Sequence, residues 1–337
     1  MGIPMKMNIN IFRGRRLAAG LALLMLTCGT TSRAWCGNSN LWVSFGYADV
    51  IESYTSGQLK TSGEPTPIQM TGTYANDTTG LAFDKSHNLW AVINDVEVVR
   101  FTPAQLKDLK TNPNPVPGVI ITSTSTFQNL IGCNFDKQGN LWVVDGDNKL
   151  DELSKAQLDA GSKDVTPAIV ITSSDFDFPL YVTFDKGGNA WVDNQDGDTV
   201  DEFSASQLTS GGSKSASVVL SSDGSGSLSR PTEIAFDKKG NLWVPNYDTD
   251  TVVEFAKSQL ASSGDPTPTV TLSSATFDGA WGAVFDGSGN LVVMDYTDGM
   301  IAKFTPKQLK AGGTQVPKVS VTGTETSTSQ IIFGPAS

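Results

Sequence analysis

The stretch Phe236-Asp237-Lys238-Lys239-Gly240-Asn241-Leu242-Trp243 is one of five close copies of a single pattern in this chain of 337 residues. The copies begin at Phe83, Phe135, Phe184, Phe236 and Phe285, which we call the landmark phenylalanines. They are 52, 49, 52 and 49 residues apart. A period near 50 residues, built from short β-rich runs, is typical of the four-stranded blades of a β-propeller and not of a helical solenoid.

The unit around Trp243 divides into strands and turns. Residues 231–236 predict a first strand, 242–246 a second and 251–255 a third, because apolar and polar residues alternate between turn formers. The Asp, Gly and Asn residues of 237–241 are typical of a hairpin turn. A loop and a fourth strand near 268–273 complete the unit. The tryptophans then predict packing from blade to blade at a fixed depth.

A second motif follows each predicted third strand. It usually has Ser or Thr three residues before Gln-Leu, and it begins at Tyr54, Phe101, Leu153, Phe203, Phe255 and Phe304. Thr102-Pro103 and Thr305-Pro306 resemble an N-cap followed by proline at the first helical position. We therefore predict a short helical turn after the third strand of each blade.

The two ends of the repeat region complement each other. The first blade begins at Asn40-Leu41-Trp42-Val43 without a first strand, whereas Gln330–Gly334 reads as a first strand with no second strand after it. Phe333 lies 48 residues after Phe285 and is the sixth landmark phenylalanine. The sequence therefore predicts one all-β domain over 38–337, a six-bladed propeller in which the C-terminal strand closes the N-terminal blade and protects two sheet edges.

The first 34 residues predict export. Basic residues precede a run of about ten apolar residues, and small polar residues lead to Ala34, as in a secretory signal peptide. The run is too short to span a membrane. We expect a soluble periplasmic or secreted protein after cleavage, with a lipid anchor at Cys28 as the alternative. Cys36 and Cys133 would then remain, either as a disulfide or, as we slightly favour, as two unpaired thiols.

Charge narrows the range of partners. The chain has 24 Lys and Arg against 35 Asp and Glu, a net charge of −11 that becomes −16 when residues 1–34 are removed. No basic stripe is visible, so nucleic acid is not an expected partner. The single histidine, His87, falls in a turn, which limits the scope for histidine triads and zinc sites. We expect a monomer that binds a small molecule, a glycan or a protein.

The repeat resembles a known family. The pattern Gly80-Leu-Ala-Phe-Asp84 followed by Asn88-Leu-Trp, with Asp or Asn three residues after the landmark Trp or Val, is similar to the NHL-repeat family of six-bladed propellers. It is also similar to the superfamily that holds gluconolactonase, regucalcin and virginiamycin B lyase. These resemblances cover nearly the whole exported chain. They are specific for architecture and weak for function, because chemistry depends on residues that differ between blades.

The resemblance implies a site where the first strands meet the channel. In gluconolactonase-type enzymes, acidic and amide side chains hold a divalent cation at this depth. The matching positions here offer only hydroxyls and apolar groups: Thr79, Ile131, Leu180, Thr232, Trp281 and Ser329. No metal site or cofactor is therefore expected, and a bound divalent cation is kept as the alternative. Virginiamycin B lyase relies on a histidine at the axial mouth, whereas His87 lies at the opposite end of its blade.

One step further along the first strands lie Tyr181, Glu233 and Gln330. We expect Tyr181, Glu233, Trp281, Gln330 and Asn134 at one mouth of the channel, with rim groups from the ends of the second strands: Asp145, Asn194, Asn246 and Asp295. Two aromatic rings with amides and a carboxylate suit a sugar, a peptide end or a cationic small molecule. The alternative is that these residues only plug the channel.

Two function classes follow. The first is a secreted, non-catalytic propeller that binds a ligand or protein, or serves as a structural protein of the cell surface. The second is an extracytoplasmic lactonase-like hydrolase or lyase that uses the channel, with Glu233 as a lone acid or base. No catalytic residue other than Glu233 is a candidate.

Overall fold

Six β-sheets, each one blade, surround a central axis in the computed structural model, which describes residues 39–46 and 48–335. The six-bladed all-β architecture predicted from the repeat is confirmed. The signal peptide predicted over residues 1–34 and Cys36 lie outside the described residues, so those predictions stay open. Within the described part, no helix has the length and apolar character that a membrane crossing requires.

Each blade contains four strands, which we number from the axis outward. The inner strands of blades 1 to 6 are Thr328–Pro335, Thr78–Phe83, Leu130–Phe135, Pro179–Phe184, Ala235–Phe236 and Ala280–Phe285. The second strands are Ser39–Phe45, Leu89–Ile93, Leu141–Asp145, Ala190–Asn194, Leu242–Asn246 and Leu291–Asp295. The third strands are Val50–Tyr54, Glu97–Phe101, Lys149–Leu153, Thr199–Phe203, Thr251–Phe255 and Ile301–Phe304. The fourth strands are Ile68–Thr71, Val119–Thr122, Ile169–Thr172, Val218–Ser221, Val270–Ser273 and Val319–Val321.

The C-terminal strand closes the ring as predicted. Thr328–Pro335 pairs antiparallel with Ser39–Phe45, and Leu41 lies opposite Phe333. The ends of the described chain therefore belong to one sheet, in which the inner strand comes last in sequence and the other three come first.

One strand is shorter than predicted. The inner strand of blade 5, expected over residues 231–236, narrows to Ala235–Phe236 with an isolated bridge between Pro231 and Asn246. Pro245 on the neighbouring strand has no N–H to donate, so the ladder is interrupted there. The Pro245 carbonyl still accepts a hydrogen bond from the Thr232 amide at 3.1 Å.

The landmark residues hold neighbouring blades together. The tryptophan of each second strand packs on the landmark phenylalanine of the next blade, with ring centroids 5.8 to 6.4 Å apart, in the pairs Trp42–Phe83, Trp90–Phe135, Trp142–Phe184, Trp191–Phe236 and Trp243–Phe285. In blade 6, Val292 replaces tryptophan and lies in one core cluster with Phe333. The blade-to-blade packing predicted for the tryptophans is confirmed.

The landmark aspartates organise their own turns. Asp84 accepts hydrogen bonds from the Asn88 amide at 2.9 Å, the Asn88 side chain at 2.7 Å and the Trp90 indole at 3.0 Å. The Asn amide and the Asn side chain donate to the Asp carboxylate in the same way in the other four copies. We call the end of the ring that carries these turns the landmark face, and the end that carries the turns between second and third strands the opposite face.

A short helical turn follows the third strand of every blade, as predicted. Three are α-helical and three are 3₁₀ turns, namely Pro103–Lys107, Lys155–Asp159, Pro306–Ala311, Gln58–Lys60, Gln207–Thr209 and Lys257–Ala261. The glutamine of the motif fixes the loop that follows. For example, Gln157 accepts from the Ser154 amide at 2.9 Å and donates to the Thr166 carbonyl at 2.7 Å.

The loop after each helical turn covers the outer edge of the preceding blade. Lys163–Asp164, Gly212–Ser213 and Gly313–Thr314 add parallel strands to the fourth strands of blades 2, 3 and 5. At blades 4 and 6, bridges from Gly264 and Gly63 take the same place, and at blade 1 the Pro113 carbonyl accepts from the Thr71 amide at 2.7 Å. Exposed strand edges invite pairing with other chains, and these loops occupy them.

Candidate functional site

Bulges in the inner strands turn side chains toward the axis. In blades 2, 3, 4 and 6 the pairing of inner and second strands shifts register near the start of the inner strand, within the segment five to two residues before the landmark phenylalanine. Blade 1 has a matching irregularity opposite Ser44. An extra residue in one strand re-aims the side chains beside it. Tyr181, Trp281 and Gln330 are placed by these irregular segments.

A hydrogen-bonded group closes the channel near the opposite face. Tyr181 is buried and donates its hydroxyl hydrogen to the Ser329 carbonyl. The Trp281 indole N–H lies 2.8 Å from the same carbonyl and 3.2 Å from the Tyr181 hydroxyl oxygen. Three blades therefore meet at one carbonyl, so this part of the channel is filled by the protein itself.

Glu233 lies beside this group and is also buried. Its Oε2 atom accepts from the Ile331 amide at 3.0 Å, and Gln330 accepts from the Leu81 amide at 2.6 Å. Burial raises the pKa of Glu233 well above its ordinary value; hydrogen bonds from Ile331 and the Gln330 side chain oppose this, and the nearby charge of Asp193 adds to it. Burial is therefore the dominant influence on the pKa of this carboxyl.

Asp193 is a second buried acid in the same region. It is fully buried on the second strand of blade 4, and neither carboxylate oxygen has a hydrogen-bond partner of good geometry among the described residues. Burial raises its pKa well above the ordinary value. Glu233 and Asp193 thus lie in the same buried region. Neither takes part in the ion pairs of the described residues.

A cavity of 380 Å³ occupies the rest of the channel, toward the landmark face. Tyr181, Glu233 and Gln330 form its inner end, and Asn134 also lines it. Its walls include five of the six landmark phenylalanines, namely Phe83, Phe135, Phe184, Phe285 and Phe333. The cavity reaches the landmark turns at Asp84, Asp136 and Asp185 and therefore opens at the landmark face. An apolar wall with a few convergent polar groups is the usual form of a small-molecule site.

The predicted axial residues come together around this cavity and in the group of Tyr181 and Trp281 that closes the channel. They do not surround an open mouth at the opposite face. Tyr181, Glu233 and Gln330 line the cavity, whereas Trp281 does not. Asn134 lines the cavity wall, where its side-chain oxygen accepts from the Phe135 amide at 2.8 Å.

The four predicted rim residues lie inside the blades. Asp145, Asn194, Asn246 and Asp295 are almost fully buried at the ends of the second strands. Asn194 donates to Asp201 at 2.8 Å, and Asn246 donates to the Ser227 carbonyl at 3.0 Å. Asp145 and Asp295 accept from amides of their own turns at 2.9 and 3.1 Å. These contacts shape the turns of the opposite face.

Sequence reasoning missed an aromatic cluster on the opposite face. Tyr247, Trp281 and Tyr296 have ring centroids 4.7 to 5.7 Å apart, and the Arg230 guanidinium lies 5.1 Å from the Tyr247 ring. Arg230 also donates to the Gln195 side chain at 2.8 Å. Tyr247, Tyr296 and Gln195 each occupy the fourth position after the landmark Trp or Val, so comparison of that position between blades could have found them.

Among the described residues, no group of three or more His, Cys, Asp and Glu is arranged to hold a metal ion. His87 lies in the landmark turn of blade 2, as the sequence predicted. Cys133 is buried on the inner strand of blade 3, and burial raises the pKa of its thiol.

Solved structures with a similar fold include a protein of unknown function from Bacteroides caccae, with a TM-score of 0.60 and 11% identity over 89% of this chain and 100% of that chain. Virginiamycin B lyase from Staphylococcus aureus gives a TM-score of 0.54 and 12% identity over 79% of this chain and 78% of its own. A catalytically inactive variant of that lyase, in a structure with quinupristin, gives 0.54 and 9% over 82% and 84%.

No model of a protein family and no curated protein matches this chain. The identities to the solved structures are low, so the likeness shows the fold alone. The chain is thus a β-propeller with structural neighbours of the virginiamycin B lyase type, and membership of the NHL-repeat family is not confirmed by a family match.

Proposed function

We propose that this protein is a binding module of the NHL-like kind, and that a small ligand occupies the central cavity. The observation that carries the proposal is the cavity of 380 Å³ with aromatic walls and Tyr181, Glu233 and Gln330 at its inner end. These polar groups come from three different blades, and each is held by a hydrogen bond to the backbone of another blade, so they need little reorganisation to receive a ligand. The export signal predicted over residues 1–34 supports action outside the cytoplasm.

The proposal is tested by filling the cavity. Val284 is half-buried and lines the cavity, so Val284→Phe should narrow it, whereas Val316→Phe makes the same change at a residue that is 83% exposed. A panel of small apolar and aromatic molecules is screened by shift in melting temperature and by calorimetry. Hits should bind the wild type and Val316→Phe but not Val284→Phe. Equal binding to all three proteins would place the ligand elsewhere and overturn the proposal.

One observation favours a second candidate, a hydrolase or lyase with Glu233 as general acid. A carboxyl whose pKa is raised by burial and that lies at the end of a cavity can donate a proton to a leaving group. The fold is shared with a lyase, which adds to the case only by analogy. Turnover of a panel of lactones and cyclic esters that is lost in Glu233→Gln would favour this candidate. Binding without turnover would favour the module.

A further inference from the structure

We propose that the ligand of the central cavity is an organic cation, an ammonium group on a small apolar or aromatic body, and that Glu233 provides the matching negative charge. This inference rests on the proposed binding function and specifies the chemistry of the ligand.

The first argument is that two acids in the interior have no cation as a partner among the described residues. Glu233 and Asp193 are both buried, and none of the ion pairs of the described residues involves either. A buried carboxylate without a cation is costly, which is why burial raises the pKa of both groups. Of the two, Glu233 lines the cavity and can meet a ligand there.

The second argument is the wall of the cavity. Phenylalanines from five blades and Tyr181 line the same cavity as Glu233. Aromatic rings attract cations through their quadrupole. The apolar part of the ligand would gain from burial against the same side chains. An uncharged apolar molecule would use the walls but leave Glu233 unused.

Cations at the opening do not provide the missing charge. Lys85 and Lys137 line the landmark face, where they donate to the carbonyls of Lys137 and Gly187 at 2.6 and 3.1 Å. The adjacent turns hold Asp84, Asp136 and Asp185, so positive and negative groups alternate at the opening. Arg100 and Lys155 also line the cavity, but the Arg100 guanidinium lies 5.5 Å from the Trp90 ring and Lys155 forms an ion pair with Asp159.

Binding of the cation should release a proton from Glu233. Burial raises the pKa of this carboxyl and so favours its protonated form before binding; a neighbouring cation favours the carboxylate, and the proton then goes to solvent. The titratable or charged groups that face Glu233 are Tyr181 and Asp193 from blade 4 and Cys133 from blade 3. Blades 1 and 6 present Gln330 and Gly282, which do not titrate. Of the two carboxyls among these groups, Glu233 is the one that lines the cavity, so it is the acid that a bound cation would meet.

The experiment compares phenyltrimethylammonium with tert-butylbenzene, which has the same shape without the charge. Phenyltrimethylammonium has no proton of its own, so any proton released on binding comes from the protein. Calorimetry at pH 7 in two buffers of different ionisation enthalpy measures both affinity and proton release. We expect the cation to bind at least tenfold more tightly than its neutral counterpart, with release of protons, and to bind more tightly as pH rises.

Glu233→Gln keeps an acceptor for the Ile331 amide, so it should fold, as circular dichroism and the melting temperature will check. In this variant the cation should lose its tenfold advantage and its proton release, whereas Glu202→Gln, outside the cavity, should retain both. Equal affinity of the two probes, or cation binding without proton release, would overturn the inference and leave the binding function in place. Failure of both probes, together with no ligand from the panel that Val284→Phe excludes, would overturn the binding function as well.

Discussion

The third position before the landmark phenylalanine is glycine in three blades and a bulky residue in the other three. Gly80, Gly132 and Gly282 occupy this position in three blades, and Tyr181, Glu233 and Gln330 occupy it in the others. A Cβ atom at Gly132 would lie 2.3 Å from Tyr181 Cδ1, and one at Gly282 would lie 2.7 Å from Glu233 Oε2. The glycines therefore provide the space that the site residues fill.

Gly132→Ala tests this close approach. The added methyl group would also lie 2.6 Å from the Leu180 carbonyl oxygen, which belongs to the backbone and cannot move aside easily. We expect the free energy of unfolding to fall by about 1 to 3 kcal/mol. Denaturation in urea measures it. Gly118→Ala is the matched control, because nothing lies within 4 Å of its added Cβ. If both variants lose equal stability, crowding against Tyr181 is not the cause.

The sequence identified candidate site residues more easily than it predicted what surrounds them in the fold. Glu233 and Tyr181 stood out because they replace a repeated glycine. That the cavity opens at the landmark face could not be predicted, since it depends on how far Tyr181 and Trp281 fill the other half of the channel. Asp145 and Asn246 looked like rim residues by position, but their turns fold over them.

The helical turns show what one hydroxyl contributes to an element. Thr102, Ser154 and Thr305 cap their helices, and each accepts from the amide of the motif glutamine at 3.4 Å. In blade 5 the same position is Ala256, which keeps the extended backbone but has no acceptor on its side chain.

Ala256→Thr should therefore stabilise the protein. Its φ and ψ of −62° and 147° are close to those of Ser154 at −62° and 151°, so the cap needs no backbone change. We expect a gain of about 0.5 to 1 kcal/mol, with Ser154→Ala losing a similar amount. The midpoint of urea denaturation at constant slope reports both values. An unchanged midpoint for Ala256→Thr would contradict the role of the hydroxyl.

The third strands of blades 3 and 4 carry buried acids that should make stability depend on pH. Burial raises the pKa of Asp151 and of Asp201 from 3.8 to about 7. A folded-state pKa above the unfolded value means that the folded protein binds more protons between these pH values. Stability should therefore be greatest near pH 4 and should fall as the pH rises to about 7.

Melting temperatures measured across this range will check the sign. The double variant Asp151→Asn, Asp201→Asn should lose much of the slope, because neither amide ionises. Asp147→Asn changes an exposed carboxylate of the same hairpin as Asp151 and should melt with the wild-type dependence. A wild-type protein whose melting temperature rises from pH 4 to pH 7 would contradict the prediction.

At the scale of the whole molecule, the closing strand joins the first blade to the last residues of the chain. Deletion of residues 328–337 would remove the inner strand of blade 1 and expose Leu41, Val43 and Phe45, which are fully buried. We expect the truncated protein to lose its cooperative thermal transition, measured by circular dichroism. Deletion of residues 336–337 alone should leave the transition intact. A truncated protein with an unchanged melting temperature would show that the ring does not need this strand.

Ring size and closure were readable because they follow from counting repeats and matching incomplete ends. The loops that cover the outer edges were not, since their short strands of two residues carry no apolar pattern. Lys163–Asp164 and Gly313–Thr314 pair with the blade that precedes their own, and such pairing depends on the curvature of the ring.

The pairing of Ser39 with Pro335 also bears on circular permutation. Because both ends of the described chain lie side by side in one sheet, a short linker could join them without crossing the ring. New termini could then be opened in a landmark turn such as the one between Lys238 and Lys239, where both side chains are exposed. The rearranged chain would begin with the second strand of blade 5 and end with its inner strand, whereas blade 1 would be continuous. The blade at which the ring is closed would then depend on where the gene begins and ends, and not on the architecture.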